Sequence, residues 1–191
     1  MPAERGNTTR ERLLAAAASL VAEVGWGGVT TRLVAERAGV NAGVVHYHFS
    51  SVTDLLVAAC ASVAEEMLDE IVRDLAQQPD VASGVDWLLG ELARFSGTDP
   101  TSLLLVEAYL AGSRVPEMRA RLDAAVGEFR AGVAIWLETI GSDAEAERAA
   151  VVLAAVLDGL ALHRGLDPAL DLAVAARPLR RMLTASEGTA T

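Results

Sequence analysis

The sequence predicts an all-α protein of about nine helices arranged in two domains. Apolar residues recur at helical spacing along most of the 191 residues, and no stretch shows the alternation typical of a strand. Two short helical segments joined by a glycine turn occupy residues 30–48, and one long helical pattern follows them. We place a helix-turn-helix domain at residues 1–56 and a larger helical domain at residues 57–191.

The first helix is predicted over residues 9–24, after a short polar arm. Thr8 and Glu11 have the spacing of a capping box, and the apolar residues that follow share one face up to Gly25. This face would support the two short helices.

The first short helix covers residues 31–38 and ends in a turn. Val34, Ala35 and Ala38 share one face, the spacing of a short helix with one buried stripe. Gly39 follows, where a chain leaving a helix usually adopts a left-handed conformation that only glycine enters without strain. The sequence therefore predicts a turn at Gly39.

The second short helix covers residues 42–48 and has a surface suited to DNA. Val45 and Phe49 lie four residues apart and are predicted to face inward. The helix begins with two small residues, so its backbone can lie close to base edges in a major groove. We predict DNA contacts from Arg32, Ala42, Gly43, His46 and Tyr47 to bases or adjacent phosphates, from Thr31, His48, Ser51 and Thr53 to the backbone, and from Asn41, which is also an N-cap candidate.

A family motif runs through residues 12–56, about a quarter of the chain. Its elements are the alanines 15–18, Gly25, Thr30 and Thr31, Val34-Ala35, Ala38-Gly39-Val40 and His46-Tyr47-His48-Phe49. This run resembles the DNA-binding domain of the TetR family of bacterial transcription regulators. It departs from the family pattern at His46, where the family usually has Tyr, and at Val52, where it often has a phosphate-binding Lys.

The downstream pattern predicts six further helices, over residues 52–77, 81–95, 100–112, 116–140, 143–164 and 168–183. The first of these, with about 26 residues at 1.5 Å each, would span nearly 40 Å and link the two domains. The resemblance implies that the penultimate helices form a four-helix interface in a homodimer. We predict this interface at Val151, Ala155, Asp158, Gly159 and Leu162.

The resemblance also implies a ligand cavity in the larger domain, for a small and largely apolar molecule. The residues predicted to line it are Met67, Trp87, Phe95, Leu104, Glu107, Tyr109, Phe129 and Trp136. Core packing is the alternative for each aromatic residue. Glu107 could equally pair with a buried Arg, and Asp158 could orient a ligand or lie at the dimer interface.

The charge distribution separates the two predicted domains. Residues 1–56 carry five Arg and five acidic residues, whereas the other 135 carry 11 Arg and 21 acidic residues, which accounts for the net charge of −10. All 16 basic residues are Arg. The positive charge that would pair with phosphate is therefore predicted at Arg5, Arg10, Arg32 and Arg37.

Several other classes of protein fit the sequence less well. The polar N-terminus and the absence of an apolar run of roughly 20 residues favour a cytoplasmic protein without a membrane span. The single Cys60 excludes an internal disulfide. His46 and His48 would point about 200° apart on a helix, so we expect no metal there, and no cofactor motif occurs.

These observations together predict a ligand-released repressor that binds a palindromic operator as a dimer. Two alternatives remain open: a helical ligand-binding or scaffolding protein that has lost DNA binding, and an all-α enzyme. For an enzyme, the nearest pair of groups is His163 with Asp167, which lacks the rest of a catalytic set.

Overall fold

The computed structural model describes residues 2–142 and 145–184, with the backbone alone over residues 2–7. These residues form nine α-helices and no strand, so the predicted all-α fold is confirmed. The helices are α1 (Pro2–Val24), α2 (Thr31–Ala38), α3 (Ala42–His48), α4 (Val52–Leu75), α5 (Val81–Ala93), α6 (Pro100–Gly112), α7 (Pro116–Thr139), α8 (Ala146–Leu166) and α9 (Ala173–Thr184).

Two helices, α1 and α9, begin at other residues than predicted. The backbone of α1 is helical from Pro2, not from residue 9, so the segment predicted as a polar arm is part of the helix. Proline is well suited to a first helical turn because its φ is already helical and it needs no N–H partner. The predicted start of α8 at Asp143 lies outside the described residues.

The last helix begins at Ala173 rather than at residue 168. The Asp167 carboxylate accepts the N–H of Ala169 at 3.1 Å, and the Asp171 carboxylate accepts the N–H of Ala173 at 2.9 Å. Aspartate side chains that bond the backbone two residues later stabilise turns. These two turns therefore occupy the segment that the sequence predicted as helix.

The chain packs as two compact units, Met1–Glu65 with Pro100–Leu122, and Glu66–Asp99 with Asp123–Thr191. The first unit contains α1, α2, α3 and α6, together with parts of α4 and α7. The predicted domain of residues 1–56 omits α6, although α6 contributes Leu104, Ala108 and Ala111 to the same core as α1 and α3.

The second unit has a separate apolar core. Trp136 is 2% exposed, and its indole N–H donates to the carbonyl of Gln78 at 3.0 Å. The ring lies directly against Gly84, where an added Cβ would be 2.3 Å from Cζ2. A buried tryptophan whose only polar group is bonded is held in one position.

Within the described residues, one helix, α8, is long enough and apolar enough to cross a membrane, judged by length and composition alone. The absence of an apolar run of roughly 20 residues was inferred from Asp158, which ends the run of uncharged residues within this helix. Only 22% of the most apolar stretch of α8 is buried. Val151 is 47% exposed and Leu162 is 54% exposed. The helix therefore carries an apolar surface that the described chain does not cover.

Candidate nucleic-acid interface

The turn between α2 and α3 has the geometry predicted for it. Gly39 has φ +65° and ψ +41°, and its N–H and that of Val40 donate to carbonyls of the last turn of α2. At the other end, the Thr30 hydroxyl accepts the N–H of Leu33 at 3.3 Å. Both ends of this eight-residue helix are thus closed by local bonds.

Two buried side chains determine which face of α3 is exposed. Val45 is 1% exposed and Phe49 is 4% exposed, and both pack in the first core. The inward orientation predicted for them is confirmed. Because they face inward, His46 and Tyr47 face solvent, and Tyr47 is 84% exposed.

The start of α3 is open. Ala42 and Gly43 are exposed, and a Cβ added at Gly43 would have no atom within 4 Å. Asn41 takes the N-cap position with extended backbone, but its side chain makes no cap hydrogen bond. The first turn of α3 can therefore approach a flat surface such as base edges closely.

The aromatic end of α3 pairs two rings. The rings of Tyr47 and His48 meet edge to face with centroids 5.1 Å apart. His48 is half-buried, whereas Tyr47 is 84% exposed. The contact with His48 therefore leaves the Tyr47 hydroxyl accessible from solvent as a hydrogen-bonding group.

The start of α4 has a modified capping box. The Ser51 hydroxyl accepts the N–H of Asp54 at 3.0 Å. The Asp54 carboxylate accepts the N–H of Ser50 at 3.1 Å rather than that of Ser51. The Ser51 hydroxyl proton and the exposed Thr53 hydroxyl remain suited to phosphate oxygens.

Three of the arginines near this surface have contacts within the first unit. Arg37 makes two hydrogen bonds of 2.7 Å to the Glu23 carboxylate, so the phosphate contact predicted for it competes with an internal ion pair. Arg10 lies over the ring of Phe49 at 5.2 Å. Arg12 donates to the carbonyl of Ala38 at the end of α2.

Arg32 differs from these three. It is exposed on α2, and the described residues show no hydrogen bond, ion pair or ring contact for it. Arg5 belongs to the residues whose side chains are not described. Arg32 is therefore the arginine of α2 best placed to give its charge to DNA.

The Glu23–Arg37 pair predicts a loss of stability in acid. Hydrogen bonds from Arg37, and then from Ser19, lower the pKa of Glu23 from 4.5 to about 2. A pKa lowered by folding stabilises the protein above the unfolded-state pKa, and this contribution is lost as the pH falls from about 4.5 to about 2. We expect the Tm of the wild type to fall more over this window than the Tm of Glu23→Gln, measured by calorimetry.

Glu36→Gln is the matched control for this comparison, because it removes an exposed carboxylate from the neighbouring α2. It should follow the wild type. If Glu23→Gln and the wild type gave the same dependence of Tm on pH, the ion pair would contribute no pH-dependent stability.

Two family models match most of the chain. The model for bacterial regulatory proteins of the tetR family matches residues 13–59, and the model for a tetracyclin repressor-like C-terminal domain matches residues 78–185. The chain belongs to the TetR family. This TetR-family protein is a transcriptional regulator with a helix-turn-helix DNA-binding domain, as predicted.

The similarity extends over nearly the whole TetR-family chain. An uncharacterized HTH-type transcriptional regulator of Mycobacterium tuberculosis is 26% identical over 174 residues, 88% of this chain and 89% of that protein. A transcriptional regulator from Rhodococcus sp. Rha1 superposes with a TM-score of 0.73 at 27% identity, over 91% of this chain and 95% of that chain. The multidrug binding protein EbrR, complexed with ethidium, superposes with a TM-score of 0.73 at 31% identity, over 93% of this chain and 99% of that chain.

The residues predicted to line a ligand cavity divide between the two units. Leu104, Glu107 and Tyr109 belong to the first unit, and the other five belong to the second. Leu104, Phe129 and Trp136 are buried, Tyr109 is 48% exposed, and the other four are intermediate. Their role as a ligand cavity stays a prediction.

One group in this set has a role that the sequence did not indicate. Glu107 was predicted to orient a ligand or to pair with a buried Arg. Its carboxylate accepts the backbone N–H of Trp26 at 2.8 Å. The two residues are 81 positions apart, so no local pattern could have indicated this bond.

The second unit also contains a cavity of about 360 Å³ beside α5. Its lining includes Leu89 and Ala93 of α5, Arg164 of α8, and Leu172 and Ala176. None of the residues predicted to bind a ligand lines it. Asp86, Asp171 and Arg164 bring three charged side chains to a wall that is otherwise mostly apolar.

The residues predicted for the dimer interface share one face of α8. Val151, Ala155, Asp158 and Leu162 are exposed, and Gly159 is intermediate. They recur every three or four positions, so they form a continuous stripe along the helix. A small residue such as Gly159 lets another helix approach this stripe closely.

Proposed function

We propose that this TetR-family protein is a cytoplasmic, ligand-released repressor that binds a palindromic operator as a homodimer. The observation that carries the proposal is the exposed α3, which Val45 and Phe49 hold with its small first turn and Tyr47 outward. A short helix presented in this way suits the major groove. The exposed Arg32 and the hydroxyl groups at the start of α4 supply the phosphate contacts.

The dimer accounts for the uncovered face of α8. One recognition helix of seven residues gives little affinity, whereas two helices spaced by about one DNA turn add their binding energies. Pairing of α8 with a second copy would bury Val151 and Leu162. A membrane span would instead place Asp158 near the centre of the bilayer, which is costly.

Leu162→Glu is expected to give a monomer with operator affinity at least about 100-fold lower, because it places a charge in the apolar stripe and separates the two recognition helices. Analytical ultracentrifugation measures the first effect and fluorescence anisotropy the second. Val174→Glu is the matched control, since Val174 is 64% exposed on α9. If Leu162→Glu were still a dimer, the dimer interface would not lie on this face of α8.

The ligand in this proposal is a small and largely apolar molecule. Support comes from the apolar residues predicted to line the cavity and from EbrR, whose structures contain ethidium and imidazole. Binding would favour a conformer whose two recognition helices no longer match the half-sites. Operator affinity would then fall by the ratio of the ligand's affinities for the two conformers.

The decisive experiment measures affinity for the palindrome next to the protein's own gene as a function of salt. A repressor should show specific binding well above its binding to unrelated duplex, with a slope that reports phosphate contacts. Native mass spectrometry of protein purified from its host reports the subunit count and any retained molecule. Binding of equal strength to both duplexes would contradict the proposal.

Three observations favour a second function. The protein has no Lys, Val52 stands where the family often has one, and Glu23 already neutralises Arg37. These features favour a ligand-binding protein that no longer binds DNA. In that case the same measurement would show no specific complex at any salt concentration.

A further inference from the structure

The bond from Trp26 to Glu107 connects two parts of the sequence that the family models separate. Trp26 lies within the match to the DNA-binding model, and Glu107 lies within the match to the C-terminal-domain model. Both belong to the first unit, where the Glu107 Oε2 atom accepts the Trp26 N–H at 2.8 Å. A residue of the C-terminal family domain therefore holds the segment that leads into the helix-turn-helix.

The segment that Glu107 holds has an unusual backbone. Gly25 has φ +75° and ψ +161°, a conformation essentially restricted to glycine. A single turn of 3-10 helix, Trp26–Gly28, follows it, and the chain then enters the cap of α2 at Thr30. The direction of α2, and with it α3, depends on this short connection.

The carboxylate packs directly on this connection. A Cβ added at Gly25 would lie 3.3 Å from the Glu107 Oε1 atom, so both oxygens are placed against the turn. Burial, and then the charge of Glu107, raise the pKa of Cys60 on α4 to about 12. The Glu107 carboxylate is therefore placed against the turn, and its charge acts on the buried thiol of α4.

The apolar side of α6 keeps Glu107 in place. Leu104, Ala108 and Ala111 are buried in the same core as Leu13 and Val21 of α1. Glu107 stands on the same helix and is only partly buried. A shift or rotation of α6 would therefore move the carboxylate away from Trp26, and a hydrogen bond weakens steeply as its geometry departs from linear.

We propose that Glu107 is a positioning residue for operator binding: its bond to Trp26 sets the direction in which the chain enters α2 and α3. Displacement of α6 that breaks this bond lowers operator affinity. This inference rests on the proposed function as an operator-binding repressor. It adds the specific contact through which a change in α6 reaches the recognition helix.

Three substitutions at Glu107 separate acceptor, charge and reach. Glu107→Ala removes the acceptor. Glu107→Asp keeps the charge but withdraws the carboxylate by about 1.5 Å, one carbon–carbon bond. Glu107→Gln keeps an oxygen at the same distance, although a neutral acceptor makes a weaker bond. Glu117→Ala is the control, because Glu117 is an exposed carboxylate of α7 in the same unit.

The probe is a duplex that full-length wild-type protein enriches from a random-sequence pool. Glu107→Ala and Glu107→Asp should each bind this duplex at least about tenfold more weakly, because each of the two subunits loses a charge-assisted hydrogen bond. Glu107→Gln should lie within about threefold of the wild type, and Glu117→Ala should be unchanged. Affinity for an unrelated duplex should be the same for all variants, since nonspecific phosphate contacts do not depend on how the two recognition helices are aligned.

Hydrogen exchange at the Trp26 amide gives a direct measurement of the bond. Its exchange should accelerate about tenfold in Glu107→Ala and return toward the wild-type rate in Glu107→Gln. Wild-type operator affinity in folded Glu107→Asp, or in Glu107→Ala, would overturn the inference, and Glu107→Asp alone decides if Glu107→Ala does not fold. If the wild type enriches no duplex, the proposed function itself fails. If it enriches a duplex that the Glu107 variants bind equally well, only the inference about Glu107 fails.

Discussion

Arg32→Ala and Tyr47→Ala are each expected to lower operator affinity by at least about 30-fold. Each substitution removes one contact per subunit, hence two per dimer, and a specific DNA contact is worth about 1–3 kcal/mol. Neither side chain supports the core, because Arg32 is exposed and Tyr47 is 84% exposed. Fluorescence anisotropy with the enriched duplex measures the loss, and the Tm should not change.

Arg73→Ala provides the control, since Arg73 is an exposed arginine in the last turn of α4. The two variants should also differ from each other in informative ways. Loss of a phosphate contact lowers the dependence of affinity on salt, whereas loss of a base contact relaxes sequence preference at one position. If both variants bound the enriched duplex as tightly as the wild type, the assignment of this surface to DNA would be wrong.

The recognition helix could be predicted because local interactions determine it. The turn at Gly39 needs a left-handed residue next to the end of a helix, and the pair Val45 and Phe49 needs only helical spacing. Each of these constraints acts over a few residues. The exposed face of α3 could therefore be predicted from the sequence without knowledge of any tertiary contact.

The electrostatics of the same surface could not be predicted in this way. Arg37 and Glu23 are 14 positions apart on different helices, and Glu107 and Trp26 are 81 positions apart. Helical periodicity identifies which residues share a face, but not which face of another helix lies opposite. The internal partners of Arg37 and Glu107 could therefore not be predicted, because they depend on tertiary packing.

The start of α9 shows a different limit. Proline favours a first helical turn, which predicted a helix from residue 168. Two aspartates that bond the backbone two residues ahead stabilise turns instead, and the helix begins only at Ala173. When helix and turn signals overlap within a few residues, local preferences do not decide between them, and the buried Leu172 adds a tertiary contribution.

The largest expected loss of stability is at a small residue of the second core. Gly84→Ala should destabilise this unit by about 3 kcal/mol through overpacking. The new Cβ would lie 2.3 Å from Cζ2 and 2.4 Å from Cη2 of Trp136. The ring cannot move aside without losing the bond from its N–H to the carbonyl of Gln78. For a chain of this size we expect a decrease in Tm of roughly 6–12 °C by calorimetry.

Two further variants make this prediction specific to the contact. Gly90→Ala lies on the same helix with no atom within 4 Å of the added Cβ, so it should stabilise the protein by up to about 1 kcal/mol through helix propensity. Trp136→Phe lacks the ring atoms that clash, so the double variant should lose less stability than the two single losses added together. If Gly84→Ala raised the Tm as Gly90→Ala does, the indole would not be held against Gly84. The packing that orders this core would then have to come from another contact.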